Sequence, residues 1–249
     1  MTARILIYDI ERFPFLGWYW DRWVDVIPMD MTREPGRMSA FGAKWLGSKT
    51  TMCFTEYHDD GHENMTRKAW DLFDEADVVV GFNSKKFDRR HVRTEFEKYH
   101  LPPHSPVREI DLYQVVRSQL NLPSNRLVDV AEFFGLPQQK MKHEGFRLWR
   151  KCMEGDPKAW DKFRRYCKQD VRTHEALYQR VLHLIPAHPH LGLYVDDDAP
   201  VCGQCGSDAL QRRGHATTQL GRYARFQCTS CGKWSRGKKA EKYAEERPI

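Results

Sequence analysis

The stretch YDIER, residues 8–12, places two carboxylates inside an apolar segment. Residues 5–8 (ILIY) are apolar and partly β-branched, which is typical of a buried strand. In a strand, residues i and i+2 share a face, so Asp9 and Glu11 are expected to point the same way. Because burying an unpaired carboxylate is costly, folding alone does not account for the pair.

Two adjacent carboxylates repel each other unless a cation lies between them. Hard oxygen ligands of this kind suit Mg²⁺ or Mn²⁺, and such a site needs more than two of them. The sequence offers further candidates at the ends of other predicted elements. Asp88 opens a predicted helix just after the apolar run that ends at Asn83. Tyr166 and Asp170 are four residues apart, so they share one face of a long predicted helix.

Each motif is weak when taken alone. Asp9 and Glu11 could lie exposed on an edge strand. Asp88 could be a helix cap, and Tyr166 could be an ordinary core tyrosine. The order, spacing and element types of the motifs together are much more specific than any one of them.

The rest of the larger domain alternates strands with helices. Gly47-Ser48-Lys49 is a hairpin signal between two predicted strands. A hairpin followed by alternating helices and strands indicates an α/β fold with a mixed sheet flanked by helices. Residues 12–36 are predicted to be an irregular, aromatic-rich insertion. The predicted strands are residues 4–11, 37–46, 50–58, 77–81 and 107–112, and the predicted helices are residues 65–76, 87–99, 125–134 and 156 to about 184.

Composition limits the possible classes of protein. A chain of 249 residues with 41% hydrophobic residues can form one large domain, or a medium domain with a small one. No apolar run approaches the ~20 residues that a membrane helix needs. The first residues read as a strand rather than a secretory signal, so we expect a cytoplasmic protein. A net charge of +6 mildly favours a polyanionic partner.

The basic excess is concentrated near the C-terminus. Residues 202–240 carry eight Lys and Arg against Asp208 alone. An acidic run at residues 196–198, followed by Ala199-Pro200, marks a domain junction. We therefore predict a large domain at residues 1–195, a small domain at residues 199–240 and a charged tail at residues 241–249.

Four cysteines in the small domain form two C-x-x-C pairs separated by 22 residues: Cys202, Cys205, Cys228 and Cys231. Two such knuckles supply four thiolates for one tetrahedral Zn²⁺, and the spacing resembles a zinc ribbon. A segment of this size can bury little core and usually needs such a structural ion. The alternative is that the four cysteines are free thiols or form disulfides. A reducing cytoplasm disfavours disulfides.

Charged and aromatic residues alternate between the two knuckles. Arg222 and Arg225 lie beside Tyr223 and Phe226, a combination that favours phosphate contact together with base stacking. Arg222 and Arg225 are therefore candidate substrate-binding residues. The alternative is a solvated basic face.

Three motifs stand in order along the chain: Asp9-Ile-Glu11, Asn83 with Phe87-Asp88, and Tyr166-Cys-Lys-Gln-Asp170. Together they resemble the motifs of the DEDD superfamily of 3′→5′ exonucleases, which have a ribonuclease H-like fold. Arg165 stands where the histidine branch would have His, so the resemblance is to the tyrosine branch, which includes proofreading domains of DNA polymerases. It covers residues 1–185. Residues 110–112 and 127–136 also look like stand-alone relatives of family B polymerase proofreading domains from phages and bacteria.

The resemblance implies a two-metal-ion phosphodiester hydrolase using Mg²⁺ or Mn²⁺. It implies that Asp9 bridges both ions, that Glu11 and Asp170 complete the shell of the first, and that Asp88 holds the second. Tyr166 would orient the attacking water.

The implied product is a nucleoside 5′-monophosphate released from single-stranded nucleic acid, DNA more readily than RNA. Phe82, Asn83 and Phe87 would line the slot for the last nucleotides. A DNA polymerase or another replication protein is a possible partner, and a phage-encoded chain would act in the host cytoplasm. Two alternatives stay open: a structure-specific endonuclease of the same fold, and a non-catalytic nucleic-acid-binding or replisome adaptor.

Overall fold

The computed structural model describes residues 2–137, 144–196 and 199–247. Short 3₁₀ helices lie at Met29–Met31, Leu182–Leu184 and Leu191–Tyr194. The strands and α-helices, in chain order, are β1 (Ile5–Phe13), β2 (Leu16–Gly17), β3 (Thr32–Glu34), β4 (Arg37–Trp45), β5 (Met52–Thr55), α1 (His62–Glu75), β6 (Val78–Gly81), α2 (Asp88–Lys98), β7 (Arg108–Asp111), α3 (Leu112–Gln119), α4 (Leu127–Phe133), α5 (Phe146–Met153), α6 (Pro157–Val181), β8 (Leu210–Thr217), β9 (Gly221–Cys228) and β10 (Trp234–Tyr243).

A five-stranded mixed sheet forms the centre of the large domain, in the order β5-β4-β1-β6-β7. β4 runs antiparallel to both β1 and β5, whereas β6 is parallel to β1 and β7. The predicted mixed α/β architecture is confirmed. β1, the strand that carries the two carboxylates, is the middle strand, so its apolar half is buried on both faces.

Alternation along β1 assigns its side chains to two cores. Ile5 and Ile7 pack in one core with residues of α3, α4 and α6. Leu6, Tyr8 and Ile10 pack in the other core with residues of α1 and α2. Odd-numbered residues of β1 therefore face α6, and this alternation directs Asp9 and Glu11 toward that helix.

The 25-residue helix α6 is the longest element of the described chain. Its N-cap is Asp156, whose carboxylate accepts hydrogen bonds from the amides of Lys158 at 2.9 Å and Ala159 at 3.3 Å, and Pro157 occupies the first turn. This start is the one that the sequence predicts. The buried stripe of the helix includes Trp160, Phe163 and the residues near Asp170, so α6 lies across the sheet.

Some elements differ from the prediction. Strand β5 is shorter than the predicted residues 50–58, because the chain turns after Thr55, whose amide donates to Asp59 at 2.8 Å. Helices α3 and α5 are not predicted by the sequence pattern. The insertion at residues 12–36 contains the short hairpin β2–β3, and its loop exposes Trp20 and Trp23, which are 92% and 94% exposed.

The small domain is a three-stranded antiparallel sheet in the order β10-β9-β8. Strand β10 continues to Tyr243, three residues beyond the predicted end of this domain at residue 240. It does so because Lys242 and Tyr243 pair with the first residues of β9. Of the predicted acidic junction, Asp197 and Asp198 lie outside the described residues.

The small domain rests on the C-terminal end of α6. The buried side chain of Gln204 donates to the carbonyl oxygens of Leu182 at 2.6 Å and Ile185 at 3.0 Å. Lys233 donates to the carbonyl of Ile185 as well, at 3.1 Å. The Leu182 carbonyl also accepts from the amide of Ile185 at 3.3 Å, so these side chains complete the hydrogen bonding where the chain leaves the helix. Among the helices of the described ranges, none is both long and apolar enough to cross a bilayer.

Candidate active site and cysteine centre

Three predicted carboxylates meet between β1 and α6. Asp9, Glu11 and Asp170 each place an oxygen within 4.8 Å of the others. Two come from the odd-numbered face of β1, and the third comes from the stripe of α6 that packs on the same face. An all-oxygen set at this spacing has the donor chemistry that Mg²⁺ and Mn²⁺ prefer.

Asp88 approaches the same place from the N-terminus of α2. It is buried, and its Oδ1 accepts a hydrogen bond from the amide of Ile10 at 3.3 Å. Ile10 stands between Asp9 and Glu11 in the chain, so the Asp88 carboxylate lies beside the backbone of β1. It is not a member of the group within 4.8 Å.

Electrostatics oppose the ionisation of these carboxylates in the absence of a cation. Burial raises the pKa of Asp9 well above its usual range, and the neighbouring charges of Asp88, Glu11 and Asp170 raise it further. Burial also raises the pKa of Asp88 to about 7, against the lowering effect of its backbone hydrogen bonds. A divalent cation among these oxygens would favour their ionised forms. The residues present therefore fit a metal site.

Tyr166 is buried, but its hydroxyl reaches the carboxylates. It is hydrogen-bonded to the side chain of Asp170, and its ring packs edge-on against Trp149 with centroids 5.9 Å apart. Burial raises the pKa of Tyr166, and the charges of Asp170 and Glu11 raise it further. The hydroxyl therefore keeps its proton at neutral pH and acts as a hydrogen-bond donor beside the carboxylate group.

The family model described as the RNase H superfamily matches residues 29–182. The chain belongs to the RNase H superfamily. The match begins after β1, which the structure nevertheless places at the centre of the sheet between β4 and β6. The predicted ribonuclease H-like fold is thus confirmed, and membership of this superfamily suggests a nuclease.

One solved structure with a similar fold is a family B DNA polymerase from the hyperthermophilic archaeon Pyrobaculum calidifontis. The two share 21% sequence identity with a TM-score of 0.55, and the match covers 73% of this chain. It covers 25% of the polymerase chain, so this protein corresponds to about a quarter of that enzyme. At this identity the likeness shows the fold alone. No curated protein has significant sequence similarity to the chain.

In this RNase H-like domain, the loop between β6 and α2 is held by Asp111. The carboxylate of Asp111 accepts hydrogen bonds from the amides of Asn83 at 2.8 Å and Lys85 at 3.2 Å. It also caps α3, accepting from the amide of Tyr113 at 3.0 Å. Asn83 has a positive φ of 60°, a conformation that Asn tolerates better than most residues. In the sequence, Asp111 can be recognised only as an acidic residue near the end of the predicted strand at residues 107–112.

The three residues predicted to bind the terminal nucleotides line one cleft of about 800 Å³. Phe82 and Asn83 line the cleft directly after the end of β6. Phe87, which is 43% exposed, lines it next to Asp88 in the chain. The structure adds residues that sequence reasoning missed, because they come from separate elements: Lys86, Tyr113, Gln114, Arg117, Asn125 and Arg126. The cleft therefore combines aromatic faces with cationic side chains.

His174 lies one turn beyond Asp170 on α6 and is almost fully buried. Its Nδ1 lies 3.2 Å from the carbonyl oxygen of Tyr8, and its ring stacks on Phe82 with centroids 6.1 Å apart. Burial lowers the pKa of His174 to about 4, so the ring is neutral at physiological pH. The ring thus packs against Phe82, one of the residues that line the cleft.

The four predicted zinc-binding cysteines also come together, with every Sγ within 4.8 Å of the others. The Sγ–Sγ distance is 3.6 Å for both Cys202–Cys231 and Cys205–Cys228. A disulfide bond would be about 2.05 Å long. Four sulfurs at about 2.3 Å from a tetrahedral Zn²⁺ lie about 3.8 Å apart, so the group fits that ion. Cys53, Cys152 and Cys167 are buried in the large domain.

Each knuckle closes with the same backbone turn. The amide of Gly206 donates to the carbonyl of Cys202 at 2.8 Å, and the amide of Gly232 donates to that of Cys228 at 2.9 Å. Both glycines have a positive φ, 75° and 80°, which residues with a Cβ rarely adopt. This cysteine cluster with its three-stranded sheet fits a zinc ribbon.

Proposed function

We propose that the chain is a two-metal-ion 3′→5′ exonuclease that releases nucleoside 5′-monophosphates from single-stranded nucleic acid, preferentially DNA. The observation that carries the proposal is the convergence of the Asp9, Glu11 and Asp170 oxygens within 4.8 Å, with Asp88 beside them. Such a constellation is costly to fold without a cation, as the raised pKa of Asp9 indicates.

The chain's own residues have distinct roles in this proposal. Asp9 would bridge both ions, Glu11 and Asp170 would complete the first site, and Asp88 would hold the second. Two Mg²⁺ or Mn²⁺ ions held by these residues would supply positive charge that stabilises the attacking and the leaving oxygen of an in-line displacement at phosphorus. Asp88 lies outside the tight group, which supports its assignment to the second site.

Tyr166 would position the attacking water. Its hydroxyl keeps its proton because its pKa is raised, so it donates a hydrogen bond beside Asp170 and Glu11 rather than removing a proton. The water gives up a proton to solvent as its oxygen bonds to the terminal phosphorus, the bond from phosphorus to the 3′ oxygen breaks, and the 3′ oxygen takes up a proton from solvent and leaves as a hydroxyl.

The cleft between β6, α2 and α3 would hold the end of the strand. Phe82 and Phe87 offer aromatic faces to bases, while Asn83 offers an amide. Lys86 and Arg117 would contact phosphates of the same strand. Because the cleft begins next to Asp88, a strand end bound there would present its terminal phosphodiester to the carboxylates.

The zinc ribbon would act in binding rather than chemistry. Its four cysteines would hold one structural Zn²⁺, and Arg225, one of the two candidate arginines, is its proposed contact to substrate. The fold shared with part of a family B DNA polymerase supports a role in proofreading or end processing, with a polymerase or another replication protein as partner. A cytoplasmic location, or the host cytoplasm for a phage protein, is consistent with four thiolates held reduced for zinc.

One assay separates this proposal from its alternatives. Purified protein with Mg²⁺ or Mn²⁺ is given end-labelled linear single strands and circular single strands of the same sequence. An exonuclease shortens the linear strand one nucleotide at a time and leaves the circle intact, whereas an endonuclease of the same fold cuts both. Protein carrying Asp9→Asn is the control. If wild-type protein cleaves neither strand, or if Asp9→Asn cleaves as well as wild type, the proposal fails and a non-catalytic adaptor becomes the better explanation.

A further inference from the structure

Two arginines of the zinc ribbon stand directly opposite each other. Arg225 of β9 pairs in register with Arg236 of β10. Like charges at directly opposite positions of an antiparallel pair are destabilising. Other contacts of the two side chains must therefore offset their mutual repulsion.

Each of these arginines lies over an aromatic ring. The Arg225 Cζ is 4.9 Å from the ring centroid of Trp234, and the Arg236 Cζ is 4.4 Å from that of Tyr223. Tyr223 and Arg225 are two apart on β9, and Trp234 and Arg236 are two apart on β10, so all four share one face of the sheet. We call these four residues the arginine–aromatic ladder.

The ladder is accessible and held in place. Trp234 is 45% exposed, and both arginines are exposed. The Arg225 Nε donates to the carbonyl of Arg213 at 2.9 Å, which fixes the guanidinium over its ring. Rings and guanidinium planes that are already ordered lose less conformational entropy when they bind a ligand.

The opposite face of the sheet has a different electrostatic character. There Glu241 forms an ion pair with Arg212 at 2.7 Å, and its carboxylate lies 3.0 Å from the Nε2 of His215. Arg212 and His215 pair with Phe226 and Ala224, which alternate with the ladder residues along β9. Within residues 2–137, 144–196 and 199–247, no ion pair found in the structure involves Arg225 or Arg236. The ladder therefore carries two positive charges that no carboxylate of the described residues neutralises, whereas on the opposite face Glu241 neutralises Arg212.

We propose that the ladder binds single-stranded DNA, with a phosphate between Arg225 and Arg236 and with bases stacked on the exposed ring of Trp234 and on Tyr223. Guanidinium groups bind phosphate oxygens through two parallel hydrogen bonds, and aromatic rings stack on bases of any sequence. The inference deepens the proposed function, on which it rests for the identity of the strand as substrate. It keeps Arg225 as a contact and excludes Arg222. Arg222 lies three residues before Arg225 on β9, so its side chain is on the opposite face of the sheet.

The ribbon contacts the large domain within a few nucleotide lengths of the carboxylates. The contact is at Leu182, just after the end of α6 and twelve residues after Asp170. At 1.5 Å per residue this separation is about 18 Å along the helix axis. A stacked strand advances 3.4 Å per nucleotide, so about five nucleotides cover that separation.

The test measures binding with matched charge variants. In an Asp170→Asn background, which prevents cutting, the anisotropy of a labelled oligothymidylate of about 20 nucleotides is titrated at several salt concentrations. Arg225→Gln and Arg236→Gln should each weaken binding and flatten the log–log salt slope by about 0.7. Arg222→Gln removes the same charge from the other face and should change neither quantity.

The aromatic contribution is tested separately. Trp234→Ala should raise the Kd on the order of fivefold to a hundredfold, whereas Trp234→Phe, which keeps a ring, should recover most of the affinity. Zinc content and thermal unfolding of each variant show whether the ribbon is folded. A loss seen in Trp234→Ala alone, with the arginine variants unchanged, would overturn the phosphate contact and with it the proposal.

Three results would overturn the ladder. Equal losses in Arg222→Gln and Arg225→Gln would mean that only net charge matters. No loss in either ladder arginine variant would mean that this face does not bind the strand. A duplex bound as tightly as the single strand would exclude stacking. Failure of the proposed function is distinguishable, because hydrolysis of the p-nitrophenyl ester of thymidine 5′-monophosphate tests the chemistry without any strand.

Discussion

Substituting Asp88 should separate the stability of the fold from its chemistry. The buried carboxyl of Asp88 has a pKa of about 7 in the folded chain, against about 3.9 when unfolded. A raised carboxyl pKa means that the folded state binds more protons than the unfolded state, so stability falls as pH rises from about 4 to about 7. About three pKa units correspond to a loss of up to about 4 kcal/mol in the metal-free protein.

Asp88→Asn removes this pH-dependent loss and keeps an oxygen that can accept the amide of Ile10. Without added Mg²⁺ or Mn²⁺ and with zinc retained, we expect the variant to be more stable than wild type at pH 8 and equally stable near pH 4. At about 2–4 °C per kcal/mol, the Tm difference at pH 8 should reach several degrees. The proposed exonuclease activity should be nearly abolished, because the second ion would lose its charged ligand.

Two controls sharpen the measurement, which is urea or thermal unfolding across pH 4–8. Asp88→Ala leaves the buried amide of Ile10 without its acceptor, which costs about 1–3 kcal/mol and should cancel much of the gain. Asp71→Asn changes an exposed carboxylate on α1 and should leave the pH profile unchanged. Adding Mg²⁺ should stabilise wild type more than Asp88→Asn. If wild type and Asp88→Asn show the same pH profile without metal, the electrostatic basis of the site is wrong.

Three further predictions concern other parts of the chain. Tyr166→Phe should slow cleavage by about 10²-fold, the lower end for positioned proton-handling groups, with the Mg²⁺ dependence unchanged; full activity across a pH series would make the tyrosine structural. The folded pKa of His174, about 4, lies below the unfolded value of about 6.5, so the unfolded chain takes up a proton first as the pH falls through that range. The free energy of unfolding should therefore decrease in acid, and His174→Gln should show a smaller decrease than wild type. Truncation after residue 198 should lower the Tm because it uncovers the carbonyls of Leu182 and Ile185 that Gln204 pairs, yet turnover of the p-nitrophenyl ester should persist; loss of that turnover in a folded truncated protein would contradict a purely binding role for the ribbon.

The sequence predicted the elements whose pattern is local. An apolar run followed by alternating acids specified β1 and its carboxylates, and a long apolar stripe with an Asp-Pro start specified α6. The alternation of a strand and the periodicity of a helix can both be recognised in the sequence. The proximity of Asp9 to Asp170 could therefore be predicted. The distance between them could not, since it depends on how α6 crosses the sheet.

The missed features depend on tertiary structure. Helix α3 starts directly at the end of β7 without a glycine or proline, and Asp111 both ends the strand and caps the helix, so no local break marks the change. Helix α5 has eight residues, too few for a clear period. The cations of the cleft, such as Lys86 and Arg117, come from separate segments and share no sequence signal.

The ribbon shows how strand register refines a prediction based on composition. Arg222 and Arg225 are equivalent in the sequence, because both are basic and both adjoin an aromatic residue. In the sheet they face opposite sides, and only Arg225 meets a second arginine across the strands. The large domain gathers buried negative charges, and the ribbon gathers exposed positive ones that rest on aromatic rings. Their signs match the two components that a nuclease must hold together, divalent cations and a phosphodiester strand. Neutralising a buried carboxylate while keeping its hydrogen bonds should therefore stabilise the metal-free protein and weaken its hold on cations. Neutralising a ladder arginine should weaken the hold on the strand without that gain in stability, because its contact with a ring is lost.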